Sequence, residues 1–328
     1  MRLWLSSFLL AAVVCSLAVS GCGATANVAP RSTPVDVHVD ALPAASVTLV
    51  REIPNAGICS AVASGPLVVE SFASGEEGGL RVYSTWDSDD SSRLAVGLVA
   101  GTGSPYTAAG PANPSASASG VYFDADARLY FQGYGDDQAR DLGIKNVSRV
   151  WASPSGECLL VEQAGTSGRG YAYSFVDRVT SLPEIDWSPR DGSVGDAVWL
   201  SDSQLIVQVD DSPPNGGWGT VYSLQLAGAS VREAIAASVP MSCPAPNPSG
   251  DIWAHVYDGG LAFSKQGHPE RMLLWRAAEW GLDAWCSGEL VWLDAKHIAI
   301  AVTDSRSHTT GLWIVECTEA LRRVEADS

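Results

Sequence analysis

The sequence predicts an all-β chain folded as a β-propeller, with about six blades of about four antiparallel strands each. Three observations lead there. A unit of apolar strand, polar turn and apolar strand recurs with a period near 46 residues. A second strand, opened by glycine, recurs in phase with it. The strand runs carry few Lys or Glu, as expected of strands buried on both faces.

The first unit is plainest in "RVWASPSGECLLVE" (149–162), "AVWLSDSQLIVQV" (197–209), "APNPSGDIWAHV" (245–256) and "LVWLDAKHIAIAV" (290–302). Ser-Pro-Ser-Gly and Ser-Asp-Ser are turn chemistry, and their flanks are rich in Val, Ile, Leu and Trp, so each segment reads as a β-hairpin. The first apolar residue after each turn serves as an anchor. These anchors are Leu159, Leu205, Ile252 and Ile298, spaced by 46, 47 and 46 residues. The glycine-led strands are "GLRVYST" (79–85), "GYAYSFV" (170–176), "GTVYSLQ" (219–225) and "GLWIVEC" (311–317). Tyr173, Tyr222 and Ile314 follow their anchors by 14, 17 and 16 residues, and Tyr83 follows Leu67 of "GPLVVESF" by 16. "GVYFDADARLYFQGY" (120–134) supplies a sixth unit with Leu129 as its anchor, although Leu129 stands 62 residues after Leu67 and 30 before Leu159. In the fifth unit "GGLAFSK" (259–265) takes the place of the glycine-led strand. Trp151, Trp199 and Trp292 recur just before the turns, which points to packing between blades rather than to ligand contact.

The turn patterns, "WASPSGECLLV" above all, resemble the blade repeats of TolB-like and WD40-like propellers, whose motif runs Trp-Ser-Pro-Asp-Gly into an apolar strand. Here Ser155 stands where that motif has aspartate. The resemblance covers most of residues 50–317 as architecture. It implies the fold and leaves the activity open, because the same fold hosts hydrolases, lyases and pure scaffolds. In such rings the last blade often borrows a strand from the start of the chain.

At the N-terminus, Arg2 precedes "LWLSSFLLAAVVCSLAVS", which then gives way to Gly21, Cys22 and Gly23. One positive residue, an apolar core and small residues make the layout of a secretory signal. Val19-Ser20-Gly21-Cys22 resembles the lipobox of bacterial lipoproteins. That resemblance implies cleavage before Cys22, a diacylglycerol-bearing thiol at Cys22, and a body held on the extracytoplasmic face of the cell membrane. The other reading is an uncleaved membrane-spanning anchor. The expected organisation is a signal peptide over 1–21, a lipidated cysteine and flexible tether over 22–46, and a propeller over 47–328. "VDVHVD" within the tether alternates apolar and polar residues, so a brief strand is possible there. His38 in that run reads as a solvated side chain.

With Cys15 removed and Cys22 committed to lipid, Cys59, Cys158, Cys243, Cys286 and Cys317 remain. Outside the membrane disulfides persist. Two pairings have a geometric motive: Cys59 with Cys317, joining the start of the ring to its end, and Cys243 with Cys286, which open successive blades. Cys158, in mid-strand, reads as a buried thiol. No C-x-x-C and no close Cys-His pair exists, so no metal is expected.

Charge excludes some partners. The chain carries 20 Lys and Arg against 37 Asp and Glu, a formal net charge of −17. Such a body has no electrostatic reason to seek nucleic acid or anionic headgroups. No G-x-S-x-G elbow, H-E-x-x-H, P-loop or EF-hand spacing is present, and no cofactor is expected. "WDSDDSS" (86–92) lacks the turn glycine and closing glutamate of a calcium loop and reads as a solvated turn. His255 in "IWAHVY" reads as a partly buried, satisfied imidazole. Asn146-Val147-Ser148 matches a glycosylation sequon that carries little weight beside a bacterial-type signal.

Two functional readings follow. The first is a binding or scaffold module of the cell envelope, with a protein, peptide or glycan partner. Its candidate surface is the set of loops joining second to third strands, "SFASGEEGG" (71–79), "EQAGTSGRG" (162–170), "VDDSPPNGGWG" (209–219) and "TDSRSHTTG" (303–311). These present Arg169, Asp210, Asp211, Trp218, Asp304, Arg306 and His308, and loops on a rigid scaffold are where binding usually resides. The second is an extracytoplasmic hydrolase of glycans or peptides using Asp196 and Glu289, inward carboxylates near the innermost strands, as acid and base. It requires the two to converge on the central channel. "WRAAEWGLDAW" (275–285) spaces its tryptophans by five, which fits neither one helix face nor one strand face and divides them between core and loop.

Overall fold

The computed structural model describes residues 37–328 except 63–64, 72–78, 94–111, 165–170, 178–184, 188, 190–192, 211–218, 228–229, 238–241, 277, 279–283, 308 and 327–328. Two strands precede the ring, β1 (His38–Ala41) and β2 (Thr48–Pro54). Blade 1 is β3 (Ala56–Ala61), β4 (Leu67–Ser71), β5 (Gly79–Tyr83) and β6 (Ser91–Arg93). Blade 2 is β7 (Ala112–Ala116), β8 (Gly120–Ala125), β9 (Arg128–Gly133) and β10 (Arg140–Lys145). Blade 3 is β11 (Val147–Ala152), β12 (Cys158–Ala164), β13 (Tyr171–Asp177) and β14 (Ile185–Trp187). Blade 4 is β15 (Ser193–Ser201), β16 (Gln204–Asp210), β17 (Gly219–Ala227) and β18 (Ser230–Ala237). Blade 5 is β19 (Ala245–Pro246), β20 (Ile252–Tyr257), β21 (Gly260–Lys265) and β22 (His268–Trp275). Blade 6 is β23 (Ala284–Trp292), β24 (His297–Asp304) and β25 (Thr310–Glu316), followed by α1 (Thr318–Ala326).

Among the described residues these strands form six sheets, so the chain is an all-β propeller of six blades. Blade 6 takes β2 as its outermost strand, antiparallel to β25, with Thr48 opposite Glu316 and Pro54 opposite Gly311. The start of the chain thus closes the ring. Blade 5 gains a fifth strand, because β1 runs parallel to β22 with His38 beside Arg271 and Ala41 beside Leu274. The ordered body therefore begins by residue 37, earlier than the tether boundary at 46. The alternation in "VDVHVD" is the cause: Val37 and Val39 pack against the core between blades 4 and 5. Among the described residues no helix is long and apolar enough to cross a membrane. Cys22 and the rest of the signal lie outside the described residues.

The core divides into one apolar cluster per seam. Seam 1–2 holds Val68, Leu80, Val121 and Phe123, and seam 2–3 holds Tyr122, Leu129, Leu159 and Val161. Seam 3–4 holds Trp151, Leu160, Phe175 and Leu205, and seam 4–5 holds Ile206, Cys243, Trp253 and Met272. Seam 5–6 holds Ile252, Phe263, Ile298, Trp313 and Cys317, and seam 6–1 holds Cys59, Leu67, Ala299 and Ile314. Alternate residues of each strand serve opposite seams, which is why the strands read as continuous apolar runs.

This sidedness corrects the repeat phase at two places. Leu67, Val121, Leu159, Leu205, Trp253 and Ile298 sit on the second strands of their blades and face the preceding blade. Leu129 lies on a third strand, β9; with Val121 as the anchor the spacings of 62 and 30 become 54 and 38, so part of the irregularity lies in the chain itself. Ile252 faces blade 6 and is one residue out of phase with Trp253. Glycine matters most in the inner turns: Gly156 and Gly250 hold φ of +79° and +80°, and a Cβ at Gly156 would meet Ser117 Oγ at 2.7 Å.

The expected disulfides are not formed, since Cys286 and Cys317 are free thiols. Sidedness explains both failures. Cys59 faces seam 6–1 while Cys317 faces seam 5–6, on the other side of blade 6. Cys243 faces seam 4–5 while Cys286 faces seam 5–6, on the other side of blade 5. Burial pushes the Cys286 thiol up to about 12 and Cys317 higher still, so neither is a ready thiolate. Cys158 is buried in seam 3–4.

Candidate functional site

The innermost strand of every blade borders one central channel of about 600 Å³. Its wall comes from β3, β7, β11, β15, β19 and β23, and a cavity of that size suits a small molecule or a peptide segment. Trp151, Trp199 and Trp292, with Pro114, Pro154 and Pro246, make much of it apolar.

The recurring tryptophans are braces, as their spacing suggested. Trp151 Nε1 donates to Asp196 Oδ1 at 3.0 Å, Trp199 Nε1 to the Trp151 carbonyl at 3.0 Å, and Trp292 Nε1 to the Ala245 carbonyl at 2.8 Å. Each bond joins the inner strands of neighbouring blades. Serines do the same on the other side of the ring: Ser60 Oγ accepts the Ala116 amide at 2.8 Å, and Ser115 Oγ accepts the Ala152 amide at 2.7 Å.

At one mouth a polar string crosses four blades. The Asn113 amide donates to Glu70 Oε2 at 3.0 Å, and its side-chain nitrogen donates to Asp124 Oδ1 at 2.8 Å and to the Ser148 carbonyl at 3.0 Å. Ser148 Oγ donates to Glu162 Oε1 at 2.6 Å, and Tyr173 OH donates to Glu162 Oε2 at 2.9 Å while accepting the Val194 amide at 2.8 Å. Burial raises the Asp124 carboxyl to about 6 and also raises Glu70, in each case against a stabilising hydrogen bond from Asn113. Burial raises Tyr173 as well. Glu70, Asp124, Glu162 and Gln208 each stand three residues after the second-strand anchor of blades 1 to 4, where blades 5 and 6 have Val256 and Ala301. That register position was the sequence signal for this string, and it emerges only once the anchors are correctly phased.

Asp196 does line the channel. It is a brace, accepting from Trp151 and from the Ala197 amide and lying 3.9 Å from the Arg149 guanidinium. Burial raises its carboxyl, opposed first by Arg149 and then by the Trp151 hydrogen bond. Arg149 also donates to the Gly195 carbonyl and lies 4.9 Å over the Trp151 ring. The pair spends its charge internally, which removes Asp196 as an open acid or base. Glu289 belongs to β23, and its side chain lies outside the described residues.

Of the candidate loop residues, Arg169, Asp211, Trp218 and His308 lie outside the described residues. Asp210 is exposed at the end of β16, accepts from Gln208 Nε2 at 2.8 Å and packs close to Gly195, beside the Asp196 mouth. Asp304 accepts from the Arg306 amide at 2.9 Å and from Ser307 Oγ at 2.8 Å within its own turn, and these bonds hold its carboxyl below the usual range. Of the tryptophans at 275 and 285, Trp275 is buried in the core and Trp285 is 40% exposed. His255 corrects an expectation: its ring is fully buried, and neither nitrogen has a hydrogen-bond partner among the described residues.

No family model matches the sequence, and no curated protein matches it. Solved structures do. The propeller YCF48 bound to D1 peptide is 10% identical, with a TM-score of 0.50, over 86% of this chain and 99% of that one. The β-propeller domain of Cps50 (Swd1) from Myceliophteria thermophila is 9% identical, with a TM-score of 0.49, over 81% and 99%. TolB from Acinetobacter baumannii is 12% identical, with a TM-score of 0.45, over 74% of this chain and 62% of that one, so the match spans less than two thirds of TolB. At such identities the likeness concerns fold alone.

Proposed function

We propose that this protein is a binding module of the cell envelope, anchored on the extracytoplasmic face of the membrane through lipid on Cys22. Its propeller receives a segment of a partner protein at the channel mouth. The observation that carries this reading is the channel itself: about 600 Å³, lined by tryptophan, proline, serine and amide groups, with its charged pair Arg149 and Asp196 matched to each other. A wall of that kind suits an uncharged peptide segment with apolar side chains. The YCF48 structure, a propeller bound to a peptide, offers a fold-level precedent.

The test places a photo-crosslinking residue at Leu290, in the channel wall, and another at Glu233 on outer strand β18, in intact cells. The expected result is a discrete adduct from Leu290, absent from Glu233, and lost when Ser249→Trp narrows the channel without changing the melting temperature. No adduct from Leu290, or one indifferent to Ser249→Trp, overturns the channel reading. The anchor has its own test. Cys22→Ala is expected to leave the propeller folded but released from membranes by carbonate washing, and equal retention of that variant overturns lipid attachment.

A further inference from the structure

A second cavity of about 610 Å³ opens away from the channel, on blade 5 between β1, β21, β22 and α1. Its charge is unlike the rest of this acidic chain. Cross-strand register places His38 of β1 directly beside Arg271 of β22, and Lys265 of β21 directly beside His268. Two acids lie nearby: Asp40, which lines the same cavity 3.1 Å from His38 Nε2, and Glu270, 3.3 Å from His268 Nδ1, whose carboxyl is held below its usual range by a backbone hydrogen bond with His268 and Arg271 adding to it. Among the described residues no carboxylate lies at ion-pair distance from Lys265 or Arg271, in a chain with a surplus of 17 negative charges. Below the cations the floor is apolar. Phe263 is buried there, directly opposite Leu273 across the strands.

From this arrangement we propose that the blade 5 pocket binds a small anionic amphiphile, with an oxyanion held by Lys265 and Arg271 and an apolar stem lying on Leu273 and Val324 above the buried Phe263. The chemistry is that of a phosphate ester on a short hydrocarbon, whether a phospholipid headgroup or a soluble alkyl phosphate. It does not depend on the channel or on the anchor at Cys22.

The experiment is titration calorimetry on the full chain in a non-ionic detergent, with hexyl phosphate, hexanol, inorganic phosphate and dihexanoyl phosphatidylglycerol as probes. Hexyl phosphate is expected to bind more tightly than hexanol or inorganic phosphate, and more weakly as salt rises. Lys265→Ala and Arg271→Ala are each expected to weaken it about fivefold with an unchanged melting temperature. Tighter binding of phosphatidylglycerol than of hexyl phosphate assigns the site to lipid, and weaker binding assigns it to soluble esters. Equal affinity for hexanol overturns the anion site, as does binding indifferent to both substitutions. Equal affinity for inorganic phosphate overturns the stem subsite.

Discussion

At the seam between blades 3 and 4, Trp151 gives its indole hydrogen to Asp196, Trp199 gives its own to the Trp151 carbonyl, and Ser155 N reaches Asp202 at 3.0 Å. One blade further on, the seam between blades 4 and 5 is closed by apolar packing of Ile206, Trp253, Met272 and Leu274, with a long contact of 3.8 Å from Cys243 Sγ to the Ile206 carbonyl. His255 belongs to that second seam. It alternates with Ala254, which faces blade 6, and it pairs across the sheet with Ala262, which faces blade 4. The first seam matches its buried polar groups, whereas the second leaves both His255 and Ser264 unmatched among the described residues. Two joints with the same backbone geometry therefore differ in what holds them: directed bonds in one, apolar area in the other. Area tolerates sliding and directed bonds do not.

Three substitutions sharpen that contrast. The largest effect is expected from Trp151→Ala, which removes a buried indole, takes one of its hydrogen bonds from Asp196 and takes the ring from beneath Arg149. Loss of about 3–5 kcal/mol is expected, read as a shift of the denaturation midpoint. A loss under about 1 kcal/mol would show that neither the bond nor the burial of Trp151 holds seam 3–4.

His255→Leu is expected to act in the opposite direction. Burial pushes the imidazole down to about 3, from an ordinary 6.5. Between those values the unfolded chain takes up a proton that the native chain excludes. The neutral ring's stability is thus fully present above about pH 6.5 and declines as pH falls toward about 3, by up to about 1.4 kcal/mol per unit. The leucine variant should gain about 1–3 kcal/mol at pH 7 by removing two unsatisfied nitrogens, and the gain should grow at pH 5. Urea melts at the two pH values check this, and a gain that does not grow on acidification would show that the ring is hydrogen-bonded in solution.

The smallest effect is expected from Ser60→Ala, which leaves the Ala116 amide without its acceptor between blades 1 and 2. A loss of about 1–2 kcal/mol is expected, with Ser60→Thr recovering part of it. A neutral result would place water at that joint.

Much of the ring was legible in the sequence because its physical basis is repetitive. Strands buried on both faces read as apolar runs, turns as Ser, Pro and Gly, and braces as tryptophans at a fixed offset. The closing strand β2 followed the general habit of such rings. Three things escaped. The blade 2 anchor was misplaced because β8 and β9 are both apolar and aromatic, so "GVYFDADARLYFQ" offers two equally good strands. The disulfides failed because spacing along the chain does not reveal which side of a blade a cysteine faces. The polar string from Glu70 to Tyr173 was hidden because each member is an ordinary residue that gains meaning only beside a partner on the next blade.

Closure by β2 has a consequence for synthesis. β2 leaves the ribosome before any blade exists, and its hydrogen-bonding partner β25 is among the last elements made. In the interval Leu49 and Val50, which remain exposed even in the finished protein, lie on an edge without a neighbour. Blades 1 to 4 zip from contiguous chain, whereas the fifth takes β1 and the sixth takes β2 from far upstream, and the sixth waits longest. The ring is therefore a readout of completeness, since a chain stopped before Thr310 cannot cover β2.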